Sequence, residues 1–200
     1  MRFMLGPMPE NSQSDLEDEG WIAVREPSFI KIQLLAIPVV VLIAILFQLA
    51  FWLAGVDVSP LSNIKNAPIA LAIILVVVPI HELLHLLCFP GFGLNEKSIV
   101  GFWPKMFIPY VHYDGILSKK RYVLIASCPF VVLSITPLLS SFIRPDIAVI
   151  IVAVSYLNCL VCGVDLISIF LVVKHVPSDA VVKNKGLHSY WRNKYRNNSA

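Results

Sequence analysis

Charge is what this 200-residue chain has least of: 14% of its residues are Asp, Glu, Lys or Arg, against 57% apolar. A soluble globular chain sits nearer a quarter charged and half apolar. An ordinary water-facing surface is therefore excluded over much of the length. A secretory leader is missing too. Such a leader opens with a basic stretch followed directly by an apolar run, whereas residues 10–20 carry Glu10, Asp15, Glu17, Asp18 and Glu19 among polar neighbours. That stretch reads as a disordered, solvated lead-in with no cleavage expected. Cysteine is scarce: Cys88, Cys128, Cys159 and Cys162 all fall within or at the ends of apolar runs. A disulfide framework would place them in extracytoplasmic loops, so free, buried thiols are expected. No internal repeat is present, and no low-complexity segment beyond the acidic lead-in.

What the chain has instead is four long apolar runs, about Ile32 to Gly55, Pro68 to Pro90, Tyr122 to Phe142 and about Ile147 to Val173. Each is near or above the roughly 20 residues a helix needs to cross a bilayer. The expected fold is an all-α, multi-span membrane protein of about four transmembrane helices. Its parts are a polar cytoplasmic lead-in over 1–28, a membrane-embedded domain over 29–175 and a basic cytoplasmic tail over 176–200. Orientation follows from Lys and Arg. With both termini and the 91–121 loop on one side, only Lys65 and Arg144 of the 16 basic residues fall on the other. By the positive-inside rule both termini are cytoplasmic and the chain belongs in the cell membrane. The basic tail, with Tyr190, Trp191 and Tyr195, fits anionic headgroups of the lipid bilayer without calling for nucleic acid. Between the second and third runs, Ser98 to Leu117 is rich in β-branched and aromatic residues broken by Pro104 and Pro109. It reads equally as a short interfacial β-hairpin or an unstructured interfacial loop.

The second run carries the chemistry. From Pro68 to Pro90 its only ionisable residues are His81, Glu82 and His85, in the order His81-Glu82-Leu83-Leu84-His85. Two histidines four apart share one helix face, so both imidazoles reach one zinc ion, with the glutamate beside them as general base. The competing explanation is a buried polar network, which must account for three clustered polar groups where one is already rare. A catalytic zinc also needs a third protein ligand. The metzincin pattern would put a histidine at position 91, which is Gly91, and Glu96 lies in a loop without helical context. His112, Asp114, Asp146, His175 and Asp165 remain. Asp165 and His81 each lie about nine residues from the cytoplasmic end of their runs, roughly 13 Å deep at 1.5 Å per residue, so depth singles out Asp165. Zn²⁺, two neutral imidazoles and Asp165 leave net +1, which ionised Glu82 cancels. Asn158, two helical turns before Asp165, is a candidate catalytic donor to a developing oxyanion, or else an interhelical hydrogen bond. Cys159 and Cys162 form a Cys-x-x-Cys pair that can bind zinc, with packing as the alternative.

The HELLH motif in an apolar run, Lys119-Lys120-Arg121-Tyr122 and Ser127-Cys128-Pro129 in the third run, and Asn158 to Asp165 in the last together resemble the small bacterial zincin peptidases. Those are similar in layout to the site-2 protease intramembrane metalloproteases. The resemblance covers roughly residues 70–175. One departure is that Asp165 is followed by Leu166, where site-2 proteases carry an Asp-Gly. The resemblance implies a membrane-embedded zinc hydrolase that cleaves a membrane-protein or peptide substrate. Two other classes stay open: a non-catalytic metal- or partner-binding membrane protein, and a transporter. The transporter reading lacks the paired interrupted segments of inverted repeats.

Overall fold

The computed structural model describes residues 1–9, 20–59, 63–144 and 149–194. The acidic stretch expected to be disordered, Asp146 and Tyr195 lie outside the described residues.

Three helices are long and apolar enough to cross a membrane: α1 (Phe29–Leu53), α2 (Ala67–Leu87) and α3 (Lys119–Ile143). In α1 only 17% of the most apolar window is buried, and Ile30, Leu34, Leu42, Ile45 and Trp52 all project outward. A helix apolar on every side has no stripe for water and requires apolar surroundings. These helices are compatible with a membrane protein.

The fourth apolar run departs from the single span expected. It is two helices, α4 (Val149–Val161) and α5 (Gly163–His175), bent by 52° at Cys162. The break sits where α5 meets α1. A Cβ on Gly163 would stand 2.6 Å from Val40 Cγ2 and 3.1 Å from the Ala36 Cβ, so only glycine lets the two backbones approach this closely.

The fold is not all-α. The strands are β1 (Arg2–Leu5), β2 (Ile22–Ala23), β3 (Ser98–Trp103), β4 (Ile108–Tyr113), β5 (Leu117–Ser118), β6 (Ala180–Lys185) and β7 (His188–Asn193). They form a three-stranded sheet, β1-β3-β4, and a four-stranded sheet, β2-β7-β6-β5. Of the two readings of the 98–117 segment, the hairpin is the one that forms, with Ser98 opposite Tyr113 and Trp103 opposite Ile108. Both sheets draw on segments far apart in sequence. The N-terminus supplies β1, parallel to β3, and β2, antiparallel to β7. The basic tail, expected as a segment resting on anionic headgroups, folds over 180–193 into the β6–β7 hairpin. Its turn is the two residues Gly186-Leu187, with Gly186 at φ 56°. Ala180 and Val182 alternate inward against Tyr122, Val172 and Val176, while Arg192 stacks over the Trp21 ring at 4.6 Å. The N-terminal segment, the α2–α3 connection and the tail therefore meet at one end of the helices.

Candidate metal centre

The site is assembled by three helices, and each contributes for a local reason. On α2, His81 and His85 are one turn apart and both buried, their rings edge to face at 4.7 Å. On α5, Asp165 lies in the first turn, where the positive end of the helix dipole favours a carboxylate. From α3 comes a backbone carbonyl. Pro129 has no N–H, so the Ile125 carbonyl four residues earlier has no proline N–H to bond within the helix. That carbonyl accepts from His85 Nδ1 at 2.8 Å.

The remaining hydrogen bonds fix the tautomers. The Asn158 Nδ2 group donates to the Pro129 carbonyl at 3.1 Å and to Ser134 Oγ at 2.9 Å. Its Oδ1 therefore faces His81 Nδ1, 3.0 Å away, which must be the donor. With both Nδ1 atoms carrying the proton, the Nε2 atoms of the two neutral rings are left with lone pairs. These point at each other across 3.1 Å and at Asp165 Oδ2 across 3.1 Å from His81 and 3.4 Å from His85. Three lone-pair atoms held together call for a cation among them. Ligands 2.0–2.1 Å from a tetrahedral centre stand about 3.3 Å apart, which matches all three edges of this triangle. His81, His85 and Asp165 form the one group of this kind among the described residues. The nitrogen and oxygen donor set, closed on one side by backbone and amide partners, fits zinc.

A family model described as "Putative zincin peptidase" matches residues 74–181. The chain belongs to this family. No curated protein and no solved structure matches it.

In this zincin-family chain the other candidate ligands stand apart from the triad. Asp114 pairs with Arg2 at 3.0 Å on the surface, and His175 Nδ1 meets the Leu171 carbonyl of its own helix. His112 is buried in the wall of the neighbouring cleft, and burial pushes its imidazole below the ordinary value. Asp146 lies outside the described residues. All four cysteines are free thiols, and the Cys162 sulfur accepts from Asn158 rather than joining the metal group. Asn158 itself spends both ends of its amide, so it positions His81 instead of aiming a donor into the cleft. Glu82 turns toward β4, where its Oε2 accepts the Val111 N–H at 2.9 Å. Sequence reasoning missed the Ile125 carbonyl and the Val111 N–H. The first left a signal, a proline four residues on; the second left none.

A larger cavity of about 1040 Å³ lies near the far ends of the helices, between Gln48, Trp52, Ile69 and Tyr156. Among its described lining residues the one carboxylate, Asp57, is engaged by the Ser59 N–H and hydroxyl.

Proposed function

We propose that this chain is a membrane-embedded zinc metallopeptidase, similar in plan to the site-2 proteases, that hydrolyses a peptide bond of a membrane-associated substrate. The observation that carries the reading is the triangle of His81 Nε2, His85 Nε2 and Asp165 Oδ2, with both Nδ1 protons tied down. When bound there, zinc supplies Lewis-acid activation of water and of a peptide carbonyl. The chain's own part is positional and acid–base. Glu82 receives the proton of the attacking water and passes it to the leaving amine. Its second task, holding the Val111 N–H, ties the base to the edge of β4.

That edge is where we place the substrate. β4 ends its sheet, and Val111, opposite Val100, turns its N–H away from β3 to reach Glu82. Residues alternate along a strand, so Pro109 and Tyr113 also turn their backbone groups outward. Pro109 suits that position, having no ladder N–H to lose. An extended substrate backbone adds to this edge. The placement in the cell membrane, with both termini cytoplasmic, is supported by the meeting of the N-terminal, α2–α3 and tail strands at one end. Among the described residues, that end carries the basic ones except Lys65 and Arg144.

The test is zinc stoichiometry and cleavage of fluorescein-labelled β-casein by detergent-purified protein, wild type beside Glu82→Gln. The reading expects about one zinc per chain in both and cleavage only in wild type. Equal function in the two would move the protein to a non-catalytic metal- or partner-binding role. No zinc in either, even after reconstitution, would leave a buried polar network.

A further inference from the structure

Beside the triad is a cavity of about 120 Å³, walled by His85, Ile125 and Asp165 from the helices, Val111 and Tyr113 from β4, and Asn184 from β6. Asn184 belongs to the tail hairpin, 71 residues beyond the end of β4 at Tyr113 and in the other sheet, so the cavity joins parts of the chain that no strand pairing connects. Its side chain points the same way as Ala180 and Val182, toward the helices, and its Oδ1 is fully buried with no hydrogen-bond partner among the described residues. An orphaned buried carbonyl is costly and calls for a donor.

The backbone of β6 repeats the pattern. Ser189 gives its carbonyl to Val24 N and its N–H to Glu26, on the β2 side. Asn184, opposite Ser189, therefore turns its own backbone groups away from β7, toward the side on which β5 pairs Val182. β5 pairs only Val181 and Val182, so the sheet edge at Asn184 has no strand partner among the described residues. The cavity is thus bordered by two strand edges, one from each sheet. A peptide laid against β4 uses the N–H and C=O groups of alternate residues there. Those of the intervening residues point to the opposite wall and, once buried, need partners of their own.

We infer that the tail hairpin completes the substrate cleft: the Asn184 side-chain carbonyl accepts a backbone N–H of a peptide bound along β4. This rests on the metallopeptidase reading and assigns Asn184 as a substrate-binding residue within it.

The experiment measures dissociation constants on zinc-loaded, detergent-purified full-length protein. Its probes are acetohydroxamate, which engages only the metal, and a leucine-rich tripeptide hydroxamate, which also fills the cleft. Asn184→Leu is expected to weaken the tripeptide probe roughly tenfold, as for one lost hydrogen bond, and to leave acetohydroxamate unchanged. In wild type, N-methylating the tripeptide amides one at a time should find one position with a similar loss, and that loss should vanish in Asn184→Leu. Equal affinity of wild type and Asn184→Leu for the tripeptide overturns the inference while leaving the metal site standing. If Asn184→Leu loses both probes, the methylation scan on wild type decides: no sensitive amide overturns it. Failure of wild type to bind either probe fells the metallopeptidase reading itself.

Discussion

Asn158 offers the sharpest test of the metal centre, because its two ends do different jobs. It is fully buried, accepts from His81 Nδ1 at 3.0 Å, and donates to the Pro129 carbonyl and Ser134 Oγ. Asn158→Leu fills the same space and removes both functions. It strands the His81 Nδ1–H and takes the amide donor from the Pro129 carbonyl, while Ser134 keeps its bond to the Ser155 carbonyl. A buried unpaired N–H at about 1–3 kcal/mol and a lost hydrogen bond at about 0.5–1.5 kcal/mol put the fold's loss at about 1.5–4.5 kcal/mol. The effect on zinc is separate: losing the acceptor that fixes a ligand's tautomer typically costs about 10–100-fold in metal affinity. Asn158→Asp divides the two. A carboxylate still accepts the His81 proton but cannot donate to Pro129, so stability should fall while zinc affinity stays within about threefold of wild type. Competition against a chromophoric chelator reads affinity, and thermal melts followed by circular dichroism read stability. The reasoning fails if Asn158→Leu binds zinc as tightly as wild type, or if Asn158→Asp is as weak as Asn158→Leu.

Four further outcomes are expected. His81→Ala and Asp165→Ala should each lose bound zinc, checked by metal analysis after gel filtration, since two remaining donors do not make a zinc site. Glu82→Gln should retain zinc yet lower peptidase turnover by about 10²–10⁴-fold, the range of a missing general base, read with labelled β-casein. Val111→Pro deletes the N–H that Glu82 accepts, at an edge position that tolerates proline, so cleavage should fall while zinc stays bound; unchanged cleavage would detach β4 from catalysis. Glu26, buried beneath the tail hairpin and accepting the Ser189 N–H, has its carboxyl raised above the ordinary value of about 4.5 by burial. A raised folded-state value means the folded chain holds the proton more tightly. The stability it contributes is full below about 4.5 and is lost as pH rises through the raised value. Glu26→Gln, which keeps the acceptor without the charge, should raise the neutral-pH melting temperature and flatten its change between about pH 4 and pH 8.

The helices were legible because lipid-length apolar runs need no partner to be recognised, and HELLH because its ligands lie one turn apart on one helix. Asp165 was reachable by depth alone, as both runs could be measured from their ends. The sheets were not legible. Arg2 pairs with Ile99 and Ile22 with Trp191, and nothing in a two- or four-residue strand announces a partner so remote. The tail misled for a second reason: Lys183, Lys185 and Arg192 look like a water-facing run, yet Ala180 and Val182 pack with Tyr122 and Tyr190 packs with Trp21. Pro129 was visible as a helix-interior proline, but its use depends on which carbonyl it frees and which histidine stands opposite.

The bend at Cys162 shows how the helix break and the site depend on one another. Asn158 and Asp165 are seven residues apart, so an unbroken helix would also bring both to one face. What an unbroken helix lacks is a terminus at that depth. Starting α5 at Gly163 puts Asp165 in a first turn, where unpaired N–H groups and the helix dipole stabilise its negative charge. Asn158, in the last turns of α4, then stays free to orient His81. Gly163 makes the break possible by admitting α1 against the new helix start. In a chain with so little charge, the two carboxylates of the site would balance the two positive charges of one bound zinc ion. The fold can therefore hold them deep among apolar helices without leaving a net charge there.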